Sequence, residues 1–80
     1  MEKIDRAESA LRALDFRQFR VRAHGELARI ELAQDELVRG LDPLITGKII
    51  EGVKQAGFTI VTLDLEGYRQ GSLNSLLKKH

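Results

Sequence analysis

The sequence predicts a small α+β fold of order αββαβ, a three-stranded mixed sheet with its helices on one face, half of a ferredoxin-like arrangement. Three observations predict it. Apolar residues recur every three to four positions at the N-terminus, the period switches to two over residues 19–32, and a β-branched run follows a glycine at position 57.

Ile4, Ala7, Leu11 and Leu14 carry the first period, with Glu2, Lys3, Asp5, Arg6, Glu8 and Arg12 between them. That spacing predicts an amphipathic helix over residues 3–14. Phe19, Val21 and Ala23 then alternate with Arg20, Arg22 and His24, and beyond Gly25-Glu26 the residues Ala28, Ile30 and Leu32 alternate with Arg29 and Glu31. Alternation on both sides of a two-residue Gly-X loop predicts a β-hairpin with a type II′ turn. The loop sets the register: His24 faces Leu27, Ala23 faces Ala28, Arg22 faces Arg29, Val21 faces Ile30, Arg20 faces Glu31 and Phe19 faces Leu32. A slip of one residue would mix apolar and polar side chains on both faces.

A second helical stretch opens near Asp35-Glu36-Leu37, breaks at Gly40 and restarts at Asp42-Pro43, where Asp can cap and Pro can take the first helical position. Ile45, Ile49, Val53 and Ala56 form its inward stripe, and Gly57 suits the left-handed position beyond its end. Residues 58–66 predict the third strand, with Val61, Leu63 and Leu65 facing one way and Thr62, Asp64 and Glu66 the other. The two glycines of residues 67–74 predict a loop, with a short helix after it as far as Lys79. A crossover from the second strand to the third places both helices on the apolar face, and the expected strand order is 2-1-3.

The chain has 80 residues, enough for a single domain over residues 1–80. A domain of this size buries only about 60% of the surface its unfolded chain exposes. It has no cysteine and two histidines, which excludes disulfides and a thiolate zinc site. Thirteen basic residues against twelve acidic ones leave a net charge of +1, too balanced for nucleic acid as the default partner. Apolar runs stay far below the roughly 18 residues of a membrane span, and charged residues follow Met1 directly. The expectation is a cytoplasmic protein that engages no membrane.

The hairpin register points to the candidate site. Arg22 opposite Arg29 places like charges across a strand pair, which destabilises a sheet unless an acid or bound anion compensates. With Arg20 the pair could clamp a phosphate through planar, bidentate guanidinium donation. The alternative is that these side chains spread into solvent or pair with Glu31 and Glu8. His24 ends the same face, where it could donate to an anion or carry a proton, or be a hairpin residue and no more. Glu31, Asp64 and Glu66 offer oxygen ligands without the spacing of a calcium loop. Residues 67–72 are polar and glycine-bearing but lack a phosphate-loop lysine. No nucleophile has a paired base, so no catalysis and no bound cofactor are expected of this chain alone.

Several segments also resemble a known family. Ala7-Glu8, Leu11-Arg12-Ala13-Leu14, Phe16, Arg20-Val21-Arg22, His24-Gly25 and Leu27-Ala28-Arg29-Ile30-Glu31 are similar to the C-terminal region of LarE-type ATP-dependent sacrificial sulfur transferases. So are Gly57-Phe58, the run from Val61 to Arg69, Gly71-Ser72 and Asn74. The resemblance is most specific in that last block and weaker over residues 32–56. It implies an enzyme of the pyrophosphatase-loop (PP-loop) superfamily, which uses ATP and a divalent metal. Such an enzyme adenylylates a carboxylate of a pyridinium mononucleotide and installs sulfur during nickel-pincer cofactor biosynthesis.

The ATP-binding loop and the sacrificed cysteine would lie on a PP-loop domain, in the same or a separate chain. By the same resemblance Arg20 and Arg22 match arginines that bind phosphate or the substrate nucleotide. Glu8 and Glu31 match acidic residues of the metal or substrate site, and a homo-oligomer is implied. The sequence departs from the family pattern at Asp15, where glycine is usual, at Gln70, where serine is common, and at Leu73, where methionine is common. The expected function is a substrate-binding and assembly domain of such a transferase. Its rivals are a stand-alone module for phosphate or nucleotide ligands and a structural protein-interaction domain. With three Phe, one Tyr and no Trp, stacking on RNA is the weaker version of the first rival.

Overall fold

The computed structural model describes residues 2–68. Six elements follow in order: α1 (Glu2–Ala13), β1 (Phe19–His24), β2 (Leu27–Leu32), α2 (Gln34–Gly40), α3 (Pro43–Gln55) and β3 (Ile60–Leu63). The interrupted helix is therefore two helices. Asp42 caps the second, its carboxylate accepting the Leu44 N–H at 2.9 Å, with Pro43 in the first turn.

The hairpin adopts the register expected of it at all six pairs, from Phe19 opposite Leu32 to His24 opposite Leu27. Gly25 takes φ +61 in the turn, the left-handed first position that a type II′ turn requires. β3 then pairs with β2 in parallel, Ala28 beside Val61 and Ile30 beside Leu63.

The sheet order is β1-β2-β3, which corrects the expected 2-1-3: the second strand is central, not the first. The physical reason is that the path through α2 and α3 sets β3 down directly beside β2, crossing one strand spacing rather than two. Burial agrees, because Ala28, Ile30 and Leu32 of β2 are at most 1% exposed, whereas β1 ends exposed from Arg22 to His24. β3 is also shorter than the expected 58–66. Phe58 belongs to the end of α3, and after Leu63 the Asp64 side chain accepts the Glu66 N–H at 2.9 Å while Gly67 N–H reaches the Asp64 carbonyl at 3.0 Å. This turn breaks the strand alternation, so Leu65 faces solvent. The loop and short helix expected after Tyr68 lie outside the described residues.

All helices pack on one face of the sheet. Ala7 and Leu11 of α1, Val21 of β1, Ala28, Ile30 and Leu32 of β2, and Ile49 and Val53 of α3 form a single core, closed by Phe16 and Phe58. Those two phenylalanines close α1 and α3 in the same way. Phe16 N–H bonds the Leu11 carbonyl and Asp15 N–H the Arg12 carbonyl; Phe58 N–H bonds the Val53 carbonyl and Gly57 N–H the Lys54 carbonyl. Each is a Schellman end with an apolar contact across it. The left-handed residue is Gly57 at φ 120 in one and Asp15 at φ 70 in the other. The aspartate thus holds a conformation that glycine adopts at lower cost.

Candidate anion-binding face

The other side of the sheet presents Arg20 and Arg22 from β1, Arg29 and Glu31 from β2, and Thr62 from β3, with Asp64 just beyond. Glu31 is the one buried charged residue among those described, at 6% exposure. A carboxylate in that position needs charge-assisted partners. It has two: Arg29 Nη1 donates to Glu31 Oε2 at 2.9 Å, and Arg22 Nε lies 3.5 Å from the same oxygen. Arg29 Nη1 also donates to Asp64 Oδ2 at 2.9 Å. The opposed Arg22 and Arg29 are therefore compensated within the chain, two guanidinium groups by two carboxylates. Thr62 Oγ1 donates to the Ala28 carbonyl at 2.9 Å.

Arg20, directly across the hairpin from Glu31, borders a second setting. Tyr68 forms an isolated bridge with Ala33, and its N–H donates to the Leu32 carbonyl at 2.6 Å. This brings its ring 5.6 Å from the Arg20 guanidinium. Around them the end of the sheet forms an open hollow whose lining includes Glu8, Arg12, Arg17, Arg20 and Tyr68. Arg12 stands 3.7 Å from Glu8 and 5.8 Å from the Phe19 ring. Glu36 fixes the loop beneath: its carboxylate accepts Arg17 N–H at 3.1 Å and Gln18 N–H at 3.2 Å. The Arg39 guanidinium stacks on Phe16 at 4.0 Å and donates to the Leu14 carbonyl at 2.9 Å, bracing the same turn.

The residues singled out from the sequence therefore fall into three places. Arg22, Arg29 and Glu31 meet in one network. Arg20 and Glu8 line the hollow. His24 stands exposed beside the hairpin turn, paired with Leu27. Glu8 and Glu31 do not join a third ligand: among the described residues no group of three or more His, Cys, Asp or Glu is placed to hold a metal ion. Sequence reasoning missed Arg12 and Arg17 in the hollow and the bond that Arg29 donates to Asp64. Arg12 looked like part of a solvated helix face, and Arg17 lies in a turn without periodicity.

Fold and site together define a small α+β domain, with helices on one face of a mixed sheet and clustered arginines on the other face and at one end. No family model matches the chain. It is 40% identical over 73 residues, 91% of its length, to the pyridinium-3,5-bisthiocarboxylic acid mononucleotide synthase of Lactiplantibacillus plantarum. It is also 40% identical over 79 residues, 99% of its length, to an uncharacterized protein of Synechocystis sp.. It covers 26% of the first relative and 30% of the second, so it spans less than a third of either. The chain is a domain related to part of this synthase. No helix among the described residues is long and apolar enough to cross a membrane.

Proposed function

We propose that this chain is the substrate-binding and assembly domain of a LarE-like ATP-dependent sulfur transferase of nickel-pincer cofactor biosynthesis, incomplete as a catalyst on its own. The observation that carries the reading is the 40% identity, over 91% of the chain, to a synthase named for a pyridinium mononucleotide product. The arginine-bearing face supports it. Arg20 contacts the phosphate of the mononucleotide, Arg22 the remainder of the nucleotide, and His24 adds a donor at the far end of the same face. Arg29 serves the site by holding the Glu31 carboxylate, because its Nη1 is already shared between Glu31 and Asp64.

ATP belongs to the PP-loop partner domain. A hard divalent cation takes about six oxygen ligands, whereas Glu31 Oε2 already faces two guanidinium groups and Glu8 lies beside Arg12. These two carboxylates do not by themselves fit a resident metal. The test is titration of the chain with nicotinate mononucleotide, followed by ¹⁵N NMR. Shifts at Arg20 and Arg22 that disappear in Arg20→Gln and Arg22→Gln are expected. Unchanged spectra at millimolar ligand would overturn the assignment.

A second reading, docking on a PP-loop domain or a second copy of the chain, has its own support. Leu41, Ile50 and Ile60 are exposed and border two adjacent apolar hollows that share Ile50 and Val61. Sedimentation velocity with and without the PP-loop domain tests it. A monomer that ignores that domain at high micromolar concentration would count against docking.

A further inference from the structure

We infer that the hollow at the end of the sheet is a phosphate pocket in which Arg12 and Arg17 join Arg20 around one dianionic group, with Tyr68 as an aromatic and hydroxyl-bearing wall. The charge count favours it. Among the described residues three guanidinium groups and one carboxylate, Glu8, line the hollow, a local surplus of two positive charges. A phosphate monoester near neutral pH carries close to two negative charges.

The supply of donors agrees with the count. No ion pair joins Arg17 or Arg20 to a carboxylate among the described residues, and Arg12 has one loose partner, Glu8 at 3.7 Å, with 61% of its own side chain exposed. In the neighbouring network Arg29 is bonded to two carboxylates and Arg22 lies 3.5 Å from Glu31. An incoming anion there would have to compete with Glu31 and Asp64. In the hollow it displaces water from groups that have no better partner.

The hollow is also built rather than incidental. Glu36 holds the backbone of Arg17 and Gln18, Arg20 lies within a paired strand, Arg12 rises from α1, and the Tyr68 backbone is bonded to β2. One stretch of chain, residues 8–20, and the distant Tyr68 are thus fixed around one opening, which lowers the ordering cost of binding. That the bound group is the phosphate of a mononucleotide rests on the proposed function. The anion chemistry of the hollow does not.

The experiment uses the full 80-residue chain, inorganic phosphate and nicotinate mononucleotide as separate probes, and the variants Arg12→Gln, Arg17→Gln, Arg17→Lys and, as a control on an exposed helix position, Lys48→Gln. Circular dichroism melting confirms that each variant is folded. Both probes should shift the Arg12, Arg17, Arg20 and Tyr68 resonances. Each Gln variant should weaken binding roughly threefold to tenfold, the size expected of a charge-assisted bond at an accessible site, with Arg17→Lys recovering part of the loss and Lys48→Gln unchanged.

Equal binding by Arg12→Gln, Arg17→Gln and the parent chain would overturn the pocket. A mononucleotide that shifts Arg22 while leaving Arg12, Arg17 and Tyr68 untouched would overturn the pocket and keep the proposed function. Inorganic phosphate held in the hollow, with a mononucleotide that fails to compete, would keep the pocket and overturn the mononucleotide reading. No binding of either probe by about 10 mM, an affinity below roughly 3 kcal/mol, would overturn both.

Discussion

Replacing Arg29 by Met keeps most of the apolar stem and removes the guanidinium, leaving Glu31 with Arg22 alone. The bond from Arg29 to the buried Glu31 carboxylate is worth about 1.5–3 kcal/mol as a charge-assisted hydrogen bond. The second bond, to the partly exposed Asp64, adds about 0.2–1 kcal/mol. Arg29 keeps 37% of its side chain in solvent, so water softens the loss and the lower end applies, about 2 kcal/mol. A domain of this length has a total stability of about 4–12 kcal/mol. The variant should therefore lose a visible fraction of it and melt about 8–16 °C lower. Urea denaturation followed by circular dichroism measures the change, and a double-mutant cycle with Glu31→Gln isolates the pair. A coupling of about 1.5 kcal/mol is expected. Additive effects, or an Arg29→Met variant within about 0.5 kcal/mol of the parent, would refute the claim that Arg29 is held by Glu31 rather than available to a ligand.

Asp15→Gly should stabilise the chain by about 0.5–1 kcal/mol, because glycine adopts φ 70 without the steric penalty of a Cβ; a chemical denaturation midpoint that falls instead would show that the aspartate side chain contributes something to the turn. Leu11→Ala, which removes a fully buried side chain that also closes the α1 Schellman end, should cost about 2–4 kcal/mol by the same measurement. Glu36→Ala should cost about 1 kcal/mol and, more tellingly, speed hydrogen exchange at the Arg17 and Gln18 amides. Unchanged exchange there would remove Glu36 as the anchor of the loop.

The local features were legible in the sequence because local chemistry decides them. Alternation on both sides of Gly25-Glu26 leaves one register that separates Val21 and Ile30 from Arg22 and Arg29, and the chain adopts it. Asp42-Pro43 marks a helix start that needs no tertiary information. The strand order was not legible, because β1 and β2 carry nearly the same alternating pattern and either could accept β3 on its open edge. That ambiguity hid the role of Asp64, whose bond to Arg29 exists only when β3 lies beside β2. The end of β3 was hidden for a different reason: Val61, Leu63 and Leu65 keep period two in sequence, while the side chain of Asp64 turns the backbone before Leu65. Arg12 looked like any solvated helix residue until the turn after α1 placed it across from Arg20 and Tyr68.

The opposition of Arg22 and Arg29 was the reason to expect a bound anion, and the fold answers it with an internal one. Glu31, diagonal to Arg22 and two residues from Arg29, supplies the carboxylate oxygen that both guanidinium groups face. Its burial makes it a strong competitor, since a carboxylate that loses both guanidinium partners there would be left charged and dry. The proposed pocket therefore draws on cations whose release costs little. Those are Arg12, Arg17 and Arg20 at the sheet end; Arg20 lies directly across the hairpin from Glu31, yet Glu31 pairs with Arg22 and Arg29 instead. The two clusters should separate by salt. Phosphate binding in the open hollow should weaken steeply between low and physiological ionic strength, where the Debye length shrinks from about 30 Å to about 8 Å, while the Arg29–Glu31 coupling, screened by burial, should change little over the same range. A coupling energy that falls in step with phosphate affinity would mean that the two clusters are one solvated patch and that the division drawn between them is wrong.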